Sequence, residues 1–303
     1  MGAHTRYRTP ALLEPIQLLD YLEVCGTTSA VGQALGMSQP TVSRRARALE
    51  KDLGLQRRRQ RKPQVLRYGE TTCLRLLRQA SQSHRLEAGI WRAGTSAWHK
   101  PMVEQLAPTQ LVPPRFRHPL SWRQLVENHA IDGALISGLD LQLVEPLLFA
   151  GSHEPIEWGA CVAVPIASWS LGLLLPPGPR EQLRWAPVAV PAQQTAPGLA
   201  ALVRQQQWRC LQAGPGCQEL NGWLAWLEQE KAAALAAGPW AKALRTHLPH
   251  WRWQPLQAGP HGKPAREQVW FLLHRLHWEQ PSLLRDLPQQ LIAAAALFDA
   301  DPD

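Results

Sequence analysis

A chain of 303 residues is longer than one compact core usually supports, so two or three folded units are expected. With 45% apolar and 18% charged residues, the composition is that of an ordinary globular protein and excludes wholesale disorder. The net charge of +8 resides entirely in residues 1–88, where 15 Lys or Arg face 7 Asp or Glu; the remainder holds 17 of each, so one part suits a polyanion and the other does something else.

From Pro15 to Val24, Ile16, Leu19 and Leu22 recur every three residues and predict a helix with Pro in its first turn and Gly26 as its stop. Thr27 or Thr28 then caps a second short helix with Val31 and Leu35 inside, ended by Gly36. Ser38 caps a third helix, running from Gln39 to about Leu53, with Pro40 where backbone N–H groups have no partners and Gly54 as its end. Its stripe of Val42, Ala46, Leu49 and Leu53 packs inward, leaving Gln39, Thr41, Ser43, Arg44, Arg45 and Arg47 outside. Two helices joined tightly, the second polar and basic at its start, are the parts of a helix-turn-helix. Arg57, Arg58, Arg59, Arg61 and Lys62 follow at a density that forbids burial; with Gln64 to Arg67 as a short strand, they form the tip of a wing. Thr71 to Ala88 predicts a connector or dimerising helix with Leu74, Leu77 and Ala80 or Ser81 on one side.

Beyond Gly89 short apolar runs alternate with helical patches. Strands are expected at Ile90–Ala93, Ile131–Ile136, Cys161–Ile166, Leu171–Leu175, Val188–Val190, Trp251–Leu256 and Val269–His274. Helices are expected at Pro101–Leu106, Pro197–Gln206, Leu220–Ala236 and Ser282–Phe298. The alternation predicts an α/β domain of mainly parallel sheet in two lobes.

The run Ser38-Gln39-Pro40-Thr41-Val42-Ser43-Arg44, then Leu49-Glu50 and Leu53-Gly54, resembles the DNA-binding signature of the LysR-type transcriptional regulators. Gly26-Thr27, Leu35, Leu66 and Gly69 extend that resemblance across residues 16 to 88, although Val31 and Gly32 replace the family's paired small residues and Arg57 and Arg58 its Leu-Phe. The resemblance implies a winged helix-turn-helix over 1–68 and a linker and dimerisation helix over 69–89. It also implies an effector-binding α/β domain similar to periplasmic binding proteins over 90–303. One lobe would span about 90–164 with 265–303, and the other about 165–264. Ile131-Asp132-Gly133-Ala134-Leu135-Ile136 is similar to a family strand, and Ala237-Gly238-Pro239 to a family turn.

On that reading the wing cations contact phosphate and release counterions, which positions the protein without specifying sequence. Gln39 can bond an adenine edge, Arg44 or Arg45 can fork onto guanine, Pro40 or Thr41 can touch a thymine methyl, and Ser43 contacts phosphate. The implied partners are double-stranded DNA with a two-fold related operator, a small effector, and further copies of the chain in a dimer or tetramer. Thr95, Ser96 and Trp98, after the first strand, and Thr195 from the other lobe form the candidate effector site, because a helix start gathers N–H groups that suit an anion.

Catalytic motifs are missing: there is no GxSxG, HExxH, P-loop or GxGxxG after a strand. His247 with His250 and His274 with His277 lack a carboxylate at ligand spacing, and a strand would set the latter pair on opposite faces. Five scattered cysteines fit neither a disulfide framework nor a zinc site and point to the cytoplasm; no metal or cofactor and no membrane span are expected. Two other readings stay open, an enzyme with an accessory DNA-binding head and an architectural DNA binder whose C-terminal domain only oligomerises. Fourteen tryptophans have no functional explanation at this level.

Overall fold

The computed structural model describes residues 7–57, 66–68, 71–106, 108–179, 186–214, 216–258, 263–280 and 282–298. Three helices come first: α1 (Glu14–Cys25), α2 (Thr28–Leu35) and α3 (Gln39–Asp52). Their ends follow the residues that punctuate the sequence. Gly26 and Gly36 take left-handed φ values of 72° and 65°, while the side chains of Thr27 and Ser38 accept the N–H groups of Ala30 and Thr41. Leu19, Leu22, Val31, Val42 and Ala46 are buried between them. Gly32 lets α2 lie against the turn into α3, since a Cβ there would come within 2.5 Å of the Met37 carbonyl oxygen. The expected wing residues Arg58, Arg59, Arg61, Lys62 and Gln64 lie outside the described residues.

The fourth helix, α4 (Thr72–Glu87), is capped by Thr71 but does not bury the apolar stripe that its spacing predicts. Leu74 and Ser81 do face inward, yet Leu77 is half-buried, Ala80 is exposed, and the rest of the inner face is Arg78, Gln82 and Arg85. Hydrophobic periodicity misses such a face because its charges are neutralised by acids contributed from elsewhere.

The C-terminal elements are β1 (Trp91–Gly94), α5 (Lys100–Val103), β2 (Thr109–Leu111), α6 (Pro119–Glu127), β3 (Gly133–Ser137), α7 (Gly138–Val144), α8 (Pro146–Phe149), β4 (Ile156–Trp158) and β5 (Cys161–Leu175). They continue with β6 (Val188–Val190), α9 (Pro197–Gln205), β7 (Cys210–Gln212), α10 (Leu220–Glu230), β8 (Ala233–Ala237) and α11 (Gly238–His247). The chain ends with β9 (Arg252–Pro255), β10 (Gln257–Ala258), β11 (Lys263–Pro264), β12 (Arg266–His274), α12 (Arg275–Glu279) and α13 (Leu283–Ala296). Two parallel trios, β2-β1-β3 and β7-β6-β8, flank a centre in which β12 and β5 run antiparallel to their neighbours. The sheet is therefore mixed rather than mainly parallel.

Three further expectations change. Cys161–Ile166 and Leu171–Leu175 belong to the single strand β5, which pairs with β12 along its first part and with β8 and β9 along its last. Pro165 is tolerated because the register against β12 shifts between Val269 and Trp270. The expected helix over Leu220–Ala236 ends at Glu230, and Lys231 turns left-handed at φ 49°. Ala233–Ala237 then form β8, fully buried against β5 and β6. Alanine's helix preference is a fraction of a kcal/mol per residue and yields to ladder pairing and burial.

The tryptophans are largely a packing feature: among the described residues eight of them are at most 3% exposed. Trp98 stacks on Trp240 at 6.2 Å, and Phe116 and Trp223 close the cluster edge-on at 5.8–6.0 Å. Among the described residues no helix is long and apolar enough to cross a membrane.

Candidate nucleic-acid interface and ligand cleft

On α3 the buried positions are Val42 and Ala46, which turns Gln39, Arg44, Arg45 and Arg47 to solvent and leaves Thr41 and Ser43 half-exposed. The start of the helix is already ordered. Ser38 Oγ lies 2.8 Å from Thr41 Oγ1, and Gln39 Nε2 donates to Thr28 Oγ1 at 3.1 Å and Ser43 Oγ at 3.4 Å. Among the described residues no carboxylate pairs with Arg44, Arg45 or Arg47. Arg57, also exposed, stands 4.0 Å from Glu50. The start of α3 thus presents guanidinium and amide donors, and among the described residues no acid pairs with Arg44, Arg45 or Arg47, which suits an anionic groove.

This three-helix unit is joined to the rest of the chain by buried charge. Asp20 of α1 accepts Arg78 Nε of α4 at 2.8 Å and Arg92 Nη1 of β1 at 2.9 Å. Glu23, one turn on, accepts the backbone N–H groups of Arg67 and Tyr68 at 2.7 and 3.0 Å. Asp132, just before β3, accepts Arg85 Nη2 at 2.6 Å, Gln82 Nε2 at 3.0 Å and the N–H of Arg92 at 2.6 Å. Arg115 and Arg117 donate to the carbonyls of Cys25 and Val24, which favours cations at the C-terminal end of α1. None of these joint residues is a site in the sequence reading. Two acids three residues apart, Asp20 and Glu23, within the apolar run Leu18–Cys25 of α1 were the visible signal.

At the C-terminal ends of the strands, Ser96, Trp98 and Thr195 line one cavity of about 20 Å³. That volume admits roughly one water molecule. Thr95 does not reach it: the residue is fully buried and its hydroxyl donates to the Ser96 carbonyl at 3.2 Å. Thr195 Oγ1 donates to the Ala192 carbonyl at 2.7 Å. The helix after β1 starts at Lys100, so neither Thr95 nor Ser96 caps it.

Charged groups that the sequence reading did not single out close this cleft. Asp140, in the first turn of α7, is buried, and its Oδ1 accepts the Gly198 N–H at 2.6 Å. Burial pushes its carboxyl up to about 7 against the opposing pull of the Gly198 and Leu199 N–H groups. Glu267 sits nearby with its carboxyl pushed up to about 8, first by burial and then by Asp140. Ser137 and the N–H groups of Gly138 and Leu139 face Glu267 without reaching hydrogen-bond geometry. Among the described residues Trp98 Nε1 and His99 Nδ1 are buried with no hydrogen-bond partner. Burial holds His99 neutral, with its pKa lowered to about 4.

Over this geometry the chain can be set beside solved structures. Full-length OxyR from Pseudomonas aeruginosa is 14% identical with a TM-score of 0.48, the match covering 97% of this chain and 96% of that one. CbnR, a LysR family transcriptional regulator, is 13% identical with a TM-score of 0.46 over 95% and 99%. LysG from Corynebacterium glutamicum with bound Arg is 17% identical with a TM-score of 0.47 over 93% and 98%. These three matches run over 93–97% of this chain. No family model and no curated protein matches it.

Away from the cleft, β12 ends at His274 and α12 begins at once, so His274 and His277 share one side rather than opposite faces. Their rings are 6.4 Å apart, and the His274 ring lies 4.8 Å from that of His129. Gln82 Oε1 is 2.8 Å from His129 Nδ1 and 3.2 Å from His277 Nε2, which ties α4 to this cluster. Among the described residues no group of three His, Cys, Asp or Glu is placed to hold a metal ion.

Proposed function

We propose that the chain is a DNA-binding transcription regulator of the LysR type, acting in the cytoplasm and without catalytic chemistry of its own. In this reading residues 1–68 are a winged helix-turn-helix and residues 69–89 a linker helix. The domain over 90–303 receives a small effector between two lobes, about 90–164 with 265–303 and about 165–264. The observation that carries the reading is the exposed, ordered start of α3, with Gln39, Ser43, Arg44, Arg45 and Arg47 turned outward in the only part of the chain with excess positive charge. Arg57, Arg58, Arg59, Arg61 and Lys62 add sequence-independent attraction to phosphate. Cys73, Leu76 and Ala80 are exposed on the outer face of α4 and support pairing with a second copy, hence a dimer or tetramer on a two-fold related operator. Ser96, Trp98 and Thr195 are the residues through which an effector would act, by preferring one arrangement of the lobes.

A second reading, an architectural DNA binder whose C-terminal domain only oligomerises, is favoured by the small cavity, since about 20 Å³ holds no effector as it stands.

Arg44→Ala tests the assignment of α3. It is expected to lose about 1–3 kcal/mol at the cognate site and to relax one base preference, read by competition binding against single-base variants of the operator. Alanine at one wing cation is expected instead to weaken all duplexes alike and to lower the salt slope by about one unit. An Arg44→Ala protein with unaltered base preference would contradict this placement of the readout.

A further inference from the structure

We propose that Asp140 is an internal ligand of the cleft: its carboxylate occupies the N–H groups that open α9, holds the cleft shut, and is displaced by a small external carboxylate. The proposal rests on the reading of this cleft as the effector site. Asp140 is carried by α7, which leaves β3 in one parallel trio, whereas α9 follows β6 in the other. The bond from Gly198 N–H to Asp140 Oδ1, at 2.6 Å, therefore crosses between the two halves of the sheet. The approach is close enough to require glycine, since a Cβ on Gly198 would come within 2.1 Å of the Leu139 carbonyl oxygen. The start of a helix favours negative charge because its first N–H groups lack partners and its dipole is positive there. Here the protein supplies that charge itself.

The second observation concerns the cavity beside the latch. Trp98 Nε1 and His99 Nδ1 belong to residues that line it and are buried at 2% and 4% exposure, yet among the described residues neither atom has a partner. Among the described residues Asp140 is the only carboxylate on the cavity wall. The wall therefore has a donor, Trp98 Nε1, joined by His99 when its proton is on Nδ1, that the closed form leaves unused. A carboxylate of several atoms does not fit in about 20 Å³, so its entry requires α7 to part from α9. That parting exposes the α9 N–H groups, and the incoming anion takes them over while also reaching Trp98 and His99.

The test uses the full chain and two substitutions that open the latch by different means. Asp140→Ala removes the internal carboxylate; Gly198→Ala keeps it and forces the backbones apart. Hydrogen exchange read by mass spectrometry is expected to rise roughly tenfold in the first turn of α9 for both variants, with the strand core unchanged. Succinate, titrated calorimetrically, is expected to bind Asp140→Ala roughly tenfold more tightly than the parent, while the dication of 1,4-diaminobutane shows no such gain. Asp140→Asn, which retains an acceptor for Gly198, gives a smaller change of the same sign and serves if the alanine variant does not fold. Unchanged exchange in folded Asp140→Ala or Asp140→Asn overturns the latch, and equal succinate affinity in variant and parent overturns the ligand class. Neither result touches DNA binding, and a chain that responds to succinate but selects no DNA sequence would instead remove the regulator reading.

Discussion

Asp20→Ala is expected to lower the free energy of unfolding by about 3–5 kcal/mol, the cost of stranding buried charges whose shared partner has been removed. The carboxylate has no exposure, and Arg78 and Arg92, which it pairs, are 1% and 0% exposed. Neither cation can turn to water without moving α4 or β1. Glu23 is 3.7 Å from Arg78 Nη2 and compensates only in part, since its oxygens already accept Arg67 and Tyr68 N–H groups. Asp20→Asn retains an acceptor and is expected to cost less. The partly exposed pair Arg57–Glu50 at 4.0 Å supplies the contrast, because alanine at Glu50 costs no more than about 1 kcal/mol through that pair. Chemical denaturation of the three variants checks the ranking. A loss below about 1 kcal/mol for Asp20→Ala would mean that the joint between the helical unit and the sheet is wetter than its geometry indicates.

Glu267→Gln is expected to stabilise the protein at neutral and alkaline pH, by about 4 kcal/mol once the pH reaches 8, and to be close to neutral at pH 4.5. The folded-state pKa of Glu267 is raised to about 8 from the model-peptide value of 4.5. The folded form thus binds the proton more tightly than the unfolded chain. Stability from this group is fully present below pH 4.5 and is lost as pH rises through 8, where the carboxylate must ionise while buried. Glutamine has nothing to ionise and escapes that loss. Asp140, raised to about 7 by burial, loses stability in the same direction over its own window. Denaturation of parent and variant at pH 4.5, 7 and 9 checks the prediction; two curves that stay parallel would contradict it.

The helical unit is legible from sequence because its signals are local. Gly26 and Gly36 end α1 and α2, Thr27 and Ser38 cap α2 and α3, and the Val42–Ala46 stripe sets the face of α3, all within a turn or two of one another. What escapes is decided by partners far away along the chain. Arg78 and Arg85 stand outside the apolar pattern of α4 because Asp20 lies 58 residues before the one and Asp132 47 residues after the other. Ala233–Ala237 carry helix-favouring side chains and become a strand because pairing with β5 and β6 buries the whole segment. Ser96, Trp98 and Thr195, chosen for their position after strands, do meet at one cavity. Asp140, which closes it, sits in an ordinary first-turn position, and its partner Gly198 lies 58 residues further on.

The central claim, that α3 reads DNA sequence, is tested most directly by passing a random duplex library over the purified protein at two salt concentrations and sequencing the retained fraction. The expected result is an enriched inverted repeat that survives the higher salt, together with non-specific retention that falls steeply as salt rises. Retention with no enriched sequence at either salt, or no retention at moderate salt, would contradict it.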